Sequence, residues 1–118
     1  VTGRTMDWFV PDMDTNMWLY PRGLERTGNT RTPFKWRSKY GSVAVTIYEG
    51  ATADGMNEKG LVANMLYLAE SRYPEARAAD RRPTLPISAW AQYVLDTYAT
   101  TAEAVEGLRK EQFRMVPI

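Results

Sequence analysis

The sequence predicts an α+β fold in which a mostly antiparallel sheet is built first and helices pack on it afterwards. Two observations carry this. Short runs rich in β-branched and aromatic residues, separated by Gly, Pro and Asn, fill the first half. In the second half Ile87, Trp90, Ala91, Val94, Leu95 and Tyr98 recur at the spacing of one helix face. Strands followed by helices imply a sheet layer against a helix layer.

Taken in order, Thr2 to Phe9 reads as a strand that Pro11 ends by removing a backbone donor. Met17-Trp18-Leu19-Tyr20 is a second short strand, closed by Pro21 and Gly23. Arg22 to Pro33 is polar and contains Gly28-Asn29, so it reads as a loop. Ser42 to Tyr48 is a β-branched run, and Gly60 to Leu68 is another. Gly50 to Gly60, with its Asp-Gly and Lys-Gly pairs, reads as a tight connection between antiparallel neighbours. The helix from Ile87 to Tyr98 is expected to bury Trp90, Val94 and Leu95 against the sheet. Thr100-Thr101-Ala102-Glu103 is a capping-box pattern that starts a second helix, with Ala104, Val105 and Leu108 as its buried stripe. Phe113 to Ile118 is read as a strand left without a partner, and one face of the sheet as left uncovered.

Composition narrows the function only by exclusion. A net charge of +1, with scattered basic residues, argues against a nucleic-acid-binding face. Arg81-Arg82 reads as a solvated loop rather than a phosphate clamp. No run reaches the roughly 20 apolar residues of a membrane span. With no cysteine and no histidine, the chain lacks disulfides, the commonest metal ligand and the commonest general base. Asp12 to Gly23 begins like a calcium loop but has Met17 where glycine belongs and Gly23 where glutamate belongs. No metal and no cofactor are expected.

Gly3-Arg4-Thr5-Met6-Asp7-Trp8 resembles the first active-site strand of the choloylglycine hydrolase family, linear-amide hydrolases of the N-terminal nucleophile superfamily. Asp54-Gly55-Met56-Asn57-Glu58-Lys59-Gly60-Leu61 resembles its "DG-x-NEKGL" block, and Val62 to Leu68 the strand lining its pocket. Trp36 to Val43 and Ala89 to Leu95 continue the match in the same order. The resemblance implies the four-layer αββα sandwich, a nucleophilic cysteine upstream of Val1, and hydrolysis of a small-molecule amide. Residues 1–118 would then be a partial domain truncated at both ends, inactive alone. It further implies a homo-oligomer and, by likeness to Gram-negative members, a periplasmic or secreted location.

Arg4 and Asp7 are the catalytic candidates. The resemblance gives Asp7 the α-amine of the nucleophilic residue to orient, and Arg4 the thiolate to favour and substrate to bind. From spacing alone the two read as an ordinary strand-edge ion pair, worth little when exposed. On a regular strand, positions three apart face opposite ways, so serving one site requires the strand to bend or end near Asp7. Trp8 and Tyr67 are the substrate-binding candidates. An aromatic at Tyr67, with Trp8 beside the aspartate, resembles penicillin V acylases and acyl-homoserine-lactone acylases more than bile salt hydrolases. Taken singly, either aromatic could be plain core packing. Asn57-Glu58-Lys59-Gly60 is assigned to a turn, and Asn64 to either structure or site. The rival functions are a bile salt hydrolase and a non-catalytic module of the same fold.

Overall fold

The computed structural model describes residues 2–117. Its centre is a four-stranded antiparallel sheet made of β1 (Asn16–Tyr20), β4 (Ser42–Ile47), β5 (Ala51–Asn57) and β6 (Val62–Asn64), in the order β1-β4-β5-β6. Two short ladders flank it: β2 (Glu25–Thr27) with β3 (Lys35–Arg37), antiparallel, and β7 (Thr84–Pro86) with β8 (Arg114–Val116), parallel. Helices α1 (Ile87–Thr97) and α2 (Thr101–Leu108) follow β7. The arrangement is α+β.

Several expectations need correcting. The segment from Thr2 to Phe9 is not a strand; side chains rather than a backbone ladder attach it. The stretch read as a loop holds β2, missed because Glu25-Arg26-Thr27 is polar while Arg26 turns inward over the Tyr20 ring at 4.2 Å. Gly50 to Gly60 is not a connection but contains the seven-residue strand β5. The reversal lies earlier, at Tyr48 and Glu49, with φ of 51° and 60°. Non-glycine residues seldom take that conformation, so turn propensity could not find it. Gly55 belongs mid-strand for a packing reason: a Cβ there would lie 2.5 Å from Leu95 Cδ1 and 2.8 Å from the Val43 carbonyl oxygen. The run from Gly60 to Leu68 is a strand only over Val62–Asn64, and Leu66, Tyr67 and Leu68 are exposed. Finally, the run read from Phe113 to Ile118 is not partnerless where it is described, because β8 pairs with β7 in register; Ile118 lies outside the described residues.

Helix α1 occupies the predicted range, with Tyr98 as its C-cap. Its burial is broader than one stripe. Ala91 to Asp96 are all buried, while Trp90 is half-buried. Leu95 meets the sheet at Gly55, and Tyr93 packs edge-on against Phe34, Trp36 and Phe113. The polar members are satisfied. Gln92 donates to Ser42 Oγ at 3.1 Å and Asp96 Oδ1 at 2.8 Å, and accepts from Thr52 Oγ1 at 3.2 Å. Burial pushes the Asp96 carboxyl up, against the pull of bonds from Trp36 and Gln92 and of the Arg26 charge.

Half of the capping box forms: Thr100 Oγ1 accepts from Glu103 N, while the Glu103 carboxylate reaches one residue further back, to Ala99 N rather than to Thr100 N. The α2 stripe is narrower than expected. Ala104 is buried and Leu108 half-buried, but Val105 is exposed, because the contact with Tyr98 runs through Gly107.

Asn57 ends β5 and joins three parts of the fold. Its Nδ2 donates to the Leu95 and Tyr98 carbonyls at 2.8 and 2.7 Å; its Oδ1 accepts from Lys59 N and Leu61 N at 3.0 and 3.1 Å. The turn assigned to Asn57–Gly60 is present, with Gly60 at φ 85°.

Two surface carboxylates govern acid behaviour. Glu58, bonded to Arg22 and to Gly41 N, is held down to about 2 from 4.5. Asp80, bonded to Arg82, is held down to about 2 from 3.8. Depressed folded values mean these carboxylates stabilise the fold above their ordinary pKa and lose that effect as pH falls through the folded value. Stability is therefore expected to decline from about pH 4.5 towards pH 2, and Glu58→Gln to flatten part of that decline. Urea midpoints across this range check it. Added salt should shrink the Glu58 part of the effect most, since the Arg22–Glu58 pair is exposed and the Arg82–Asp80 pair is part-buried.

Candidate active site

Paired residues in an antiparallel ladder share a face, so the registers sort the central sheet into two sides. Ala44, Gly55 and Ala63 form one row, on the side covered by α1. Met17, Val45, Asp54 and Asn64 form a row on the opposite side. There Met17, Leu19 and Val43 are exposed, so the expected uncovered apolar face is present. Asp54 is the carboxylate of that row.

Arg4 lies against this open side. Its Nε donates to Asp54 Oδ1 at 2.6 Å and its Nη2 to Asp54 Oδ2 at 2.9 Å. Nη2 also donates to the Met65 carbonyl at 2.8 Å. The two side chains are only 21% and 22% exposed, which strengthens a bidentate, charge-assisted pair. Nη1 has no partner among the described residues.

Asp7 is exposed and, among the described residues, its side chain neither bonds nor pairs. The ion pair that spacing alone suggested between Arg4 and Asp7 is thus replaced by one between Arg4 and Asp54. Since residues 2–9 are not a regular strand, strict alternation of faces does not govern Arg4 and Asp7.

Trp8 is half-buried. Its Nε1–H donates to the Tyr48 hydroxyl at 2.8 Å, its ring meets Tyr67 edge-on at 5.1 Å, and it stacks on Phe9 at 4.8 Å. The structure therefore joins Trp8 to Tyr67, as carriers of one aromatic surface. Tyr67 reaches it from beyond the end of β6 and not from within a strand. Sequence reasoning missed Tyr48 and Asp54. Asp54 carried no usable signal: a β-bulge breaks the alternation of β5, so Thr52 turns to α1 and bonds Gln92 while Asp54 faces the opposite side, and its Asp-Gly pair reads as a turn. A separate cleft of about 650 Å³, lined by Trp90, Tyr93, Arg82 and Phe113 among others, lies away from these residues. Among the described residues no cluster of three or more acidic side chains is placed to hold a metal. Among the described residues no helix is long and apolar enough to cross a membrane.

A family model for linear amide C–N hydrolases of the choloylglycine hydrolase family matches residues 1–118. The chain belongs to the choloylglycine hydrolase family. It is 47% identical over 122 residues to a penicillin V acylase from Pectobacterium atrosepticum, covering 98% of this chain and 32% of that protein. The solved structure of penicillin V acylase from Agrobacterium tumefaciens superposes with a TM-score of 0.88 at 52% identity, over 96% of this chain and 35% of that one. A variant of conjugated bile acid hydrolase from Clostridium perfringens gives 0.65 at 25% identity, over 88% and 32%. This chain spans about a third of the length of these relatives. Its α+β fold is that of the matching part of N-terminal nucleophile hydrolases.

Proposed function

We propose that this chain forms part of a linear-amide hydrolase that transfers an acyl group from an amide to a cysteine thiolate and then to water. The thiolate attacks the carbonyl carbon, the carbon–nitrogen bond breaks as the amine takes a proton, and water cleaves the thioester to a carboxylic acid. The observation that carries the reading is the guanidinium of Arg4, fixed on the open sheet side three residues before Asp7 with one nitrogen unbonded among the described residues. In this reading Arg4 favours the thiolate and binds substrate, and Asp7 orients the α-amine that serves as base. None of the 118 residues is cysteine; in this reading the nucleophile belongs to sequence outside them, and these residues alone are inactive. The homo-oligomer and the periplasmic or secreted location rest on family resemblance alone.

The aromatic surface of Trp8, Phe9, Tyr48 and Tyr67 supports an aryl or alkyl acyl group, as in penicillin V or an N-acyl-homoserine lactone. Identity to the acylases, at 47% and 52%, against 25% for the bile acid hydrolase, favours the same choice. Assaying the full-length protein on penicillin V, an N-acyl-homoserine lactone and glycocholate tests it. The expected order places either of the first two above glycocholate in kcat/KM. A preference for glycocholate would make it a bile salt hydrolase, and no turnover of any amide would favour a non-catalytic module. Trp8→Ala is expected to reduce kcat/KM for penicillin V by about tenfold or more through lost apolar contact. An unchanged value would remove Trp8 from the pocket.

A further inference from the structure

We propose that Asp54 is a positioning residue for the reaction, acting through Arg4; the inference rests on the function proposed for Arg4 above. Residues 2–9 lie in no strand, so no sheet ladder places Arg4. Among the described residues its side-chain hydrogen bonds are the two to Asp54 and the one to the Met65 carbonyl. A guanidinium is a planar fork, and two parallel bonds to one carboxylate fix both its place and its plane. The bond to Met65 uses the remaining hydrogen on Nη2. Among the described residues nothing bonds Nη1, which leaves that edge to meet a thiolate or a substrate carbonyl.

Asp54 is suited to the task because it is itself rigidly placed. It pairs with Val45 on β4 and Asn64 on β6, so strands flank it on both sides. The next residue, Gly55, lies so close to Leu95 and to the Val43 carbonyl that it has no room for a Cβ. The register of β5 is thereby fixed under the carboxylate. A largely covered carboxylate between Val45 and Asn64 is costly unless answered by a cation. Arg4 answers it from 50 residues away in sequence. Placement at this accuracy matters because small displacements of a reacting partner cost large factors in rate.

The test uses the full-length protein and penicillin V, with Asp54→Asn, Asp54→Glu, Arg4→Ala and the double variant Arg4→Ala/Asp54→Asn, each checked for cooperative unfolding. Asp54→Asn is expected to lower kcat by about tenfold or more while KM moves less than about twofold. Asp54→Glu, which keeps the charge, should recover part of that loss, and it also serves if the Asn variant folds poorly. In the Arg4→Ala background, Asp54→Asn should lower kcat by less than about twofold further, since its effect passes through Arg4. A wild-type kcat for Asp54→Asn, a change confined to KM, or an undiminished loss in the Arg4→Ala background would overturn the role of Asp54 while leaving the proposed function standing. Full activity of Arg4→Ala would take down both.

Discussion

Asp7→Asn in the full-length protein is expected to lower kcat for amide hydrolysis by about a hundredfold to a thousandfold, the scale of a disabled general base. An α-amine can serve as base only if it is held in one orientation beside its own side chain. A carboxylate does this through a charge-assisted hydrogen bond, and an amide of the same shape gives only a neutral one. Asp7 is exposed and makes no bond among the described residues, so the fold does not depend on it. Stability should therefore change by no more than about 0.5 kcal/mol, as for surface substitutions generally. That contrast gives the experiment its force. Rates from initial velocities and urea midpoints on the same preparation check it. Retained activity would remove Asp7 from the chemistry, and a large loss of stability would recast it as a structural residue.

Asn57→Ala should have the largest effect on stability, about 3 kcal/mol or more, because each buried group left unpaired costs roughly 1–3 kcal/mol. The side chain is 4% exposed. Removing it strands the Leu95 and Tyr98 carbonyls at the end of α1 and the Lys59 and Leu61 amides in the β5–β6 turn. Alanine also leaves a void where packing was close. Asn57→Asp keeps the acceptor but loses both donors and buries a charge, so it should destabilise as well, and more at neutral than at acidic pH. Denaturant unfolding of the full-length protein measures both. A loss below about 1 kcal/mol for the alanine variant would mean that water or a shifted backbone replaces these bonds.

Much of the fold was legible because local patterns and tertiary packing agree in it. The i, i+3, i+4 spacing found α1, and the Thr100–Glu103 box found the start of α2. Ser42 to Ile47 alternates buried with more open positions and reads as the strand it is. The failures have a common cause, in that a distant contact decides against the local signal. Asp54-Gly55 looks like a turn, but Leu95 and Arg4 make it the middle of a strand. Tyr48 and Glu49 look unsuited to left-handed backbone, yet the hairpin turns there. Gln92 and Asp96 sit on the helix side a stripe analysis leaves to solvent, and they are buried because Ser42, Thr52 and Trp36 bond to them. At the site, the family motifs pointed to Arg4, Asp7, Trp8 and Tyr67, and the structure joins the two aromatics. What anchors Arg4 and Trp8, namely Asp54 and Tyr48, lies 50 and 40 residues away in sequence and could be seen only in three dimensions.

The most direct test of acyl transfer to a cysteine outside these residues is to trap the intermediate. The full-length protein is mixed with penicillin V, quenched in acid within the first turnovers, digested and examined by mass spectrometry. The predicted result is a phenoxyacetyl mass increment on a cysteine-containing peptide, lost on hydroxylamine treatment as a thioester requires, with no increment on peptides from residues 1–118. An increment on a serine, threonine or tyrosine within those residues, or rapid turnover with the cysteine peptide removed by substitution to alanine, would contradict the account.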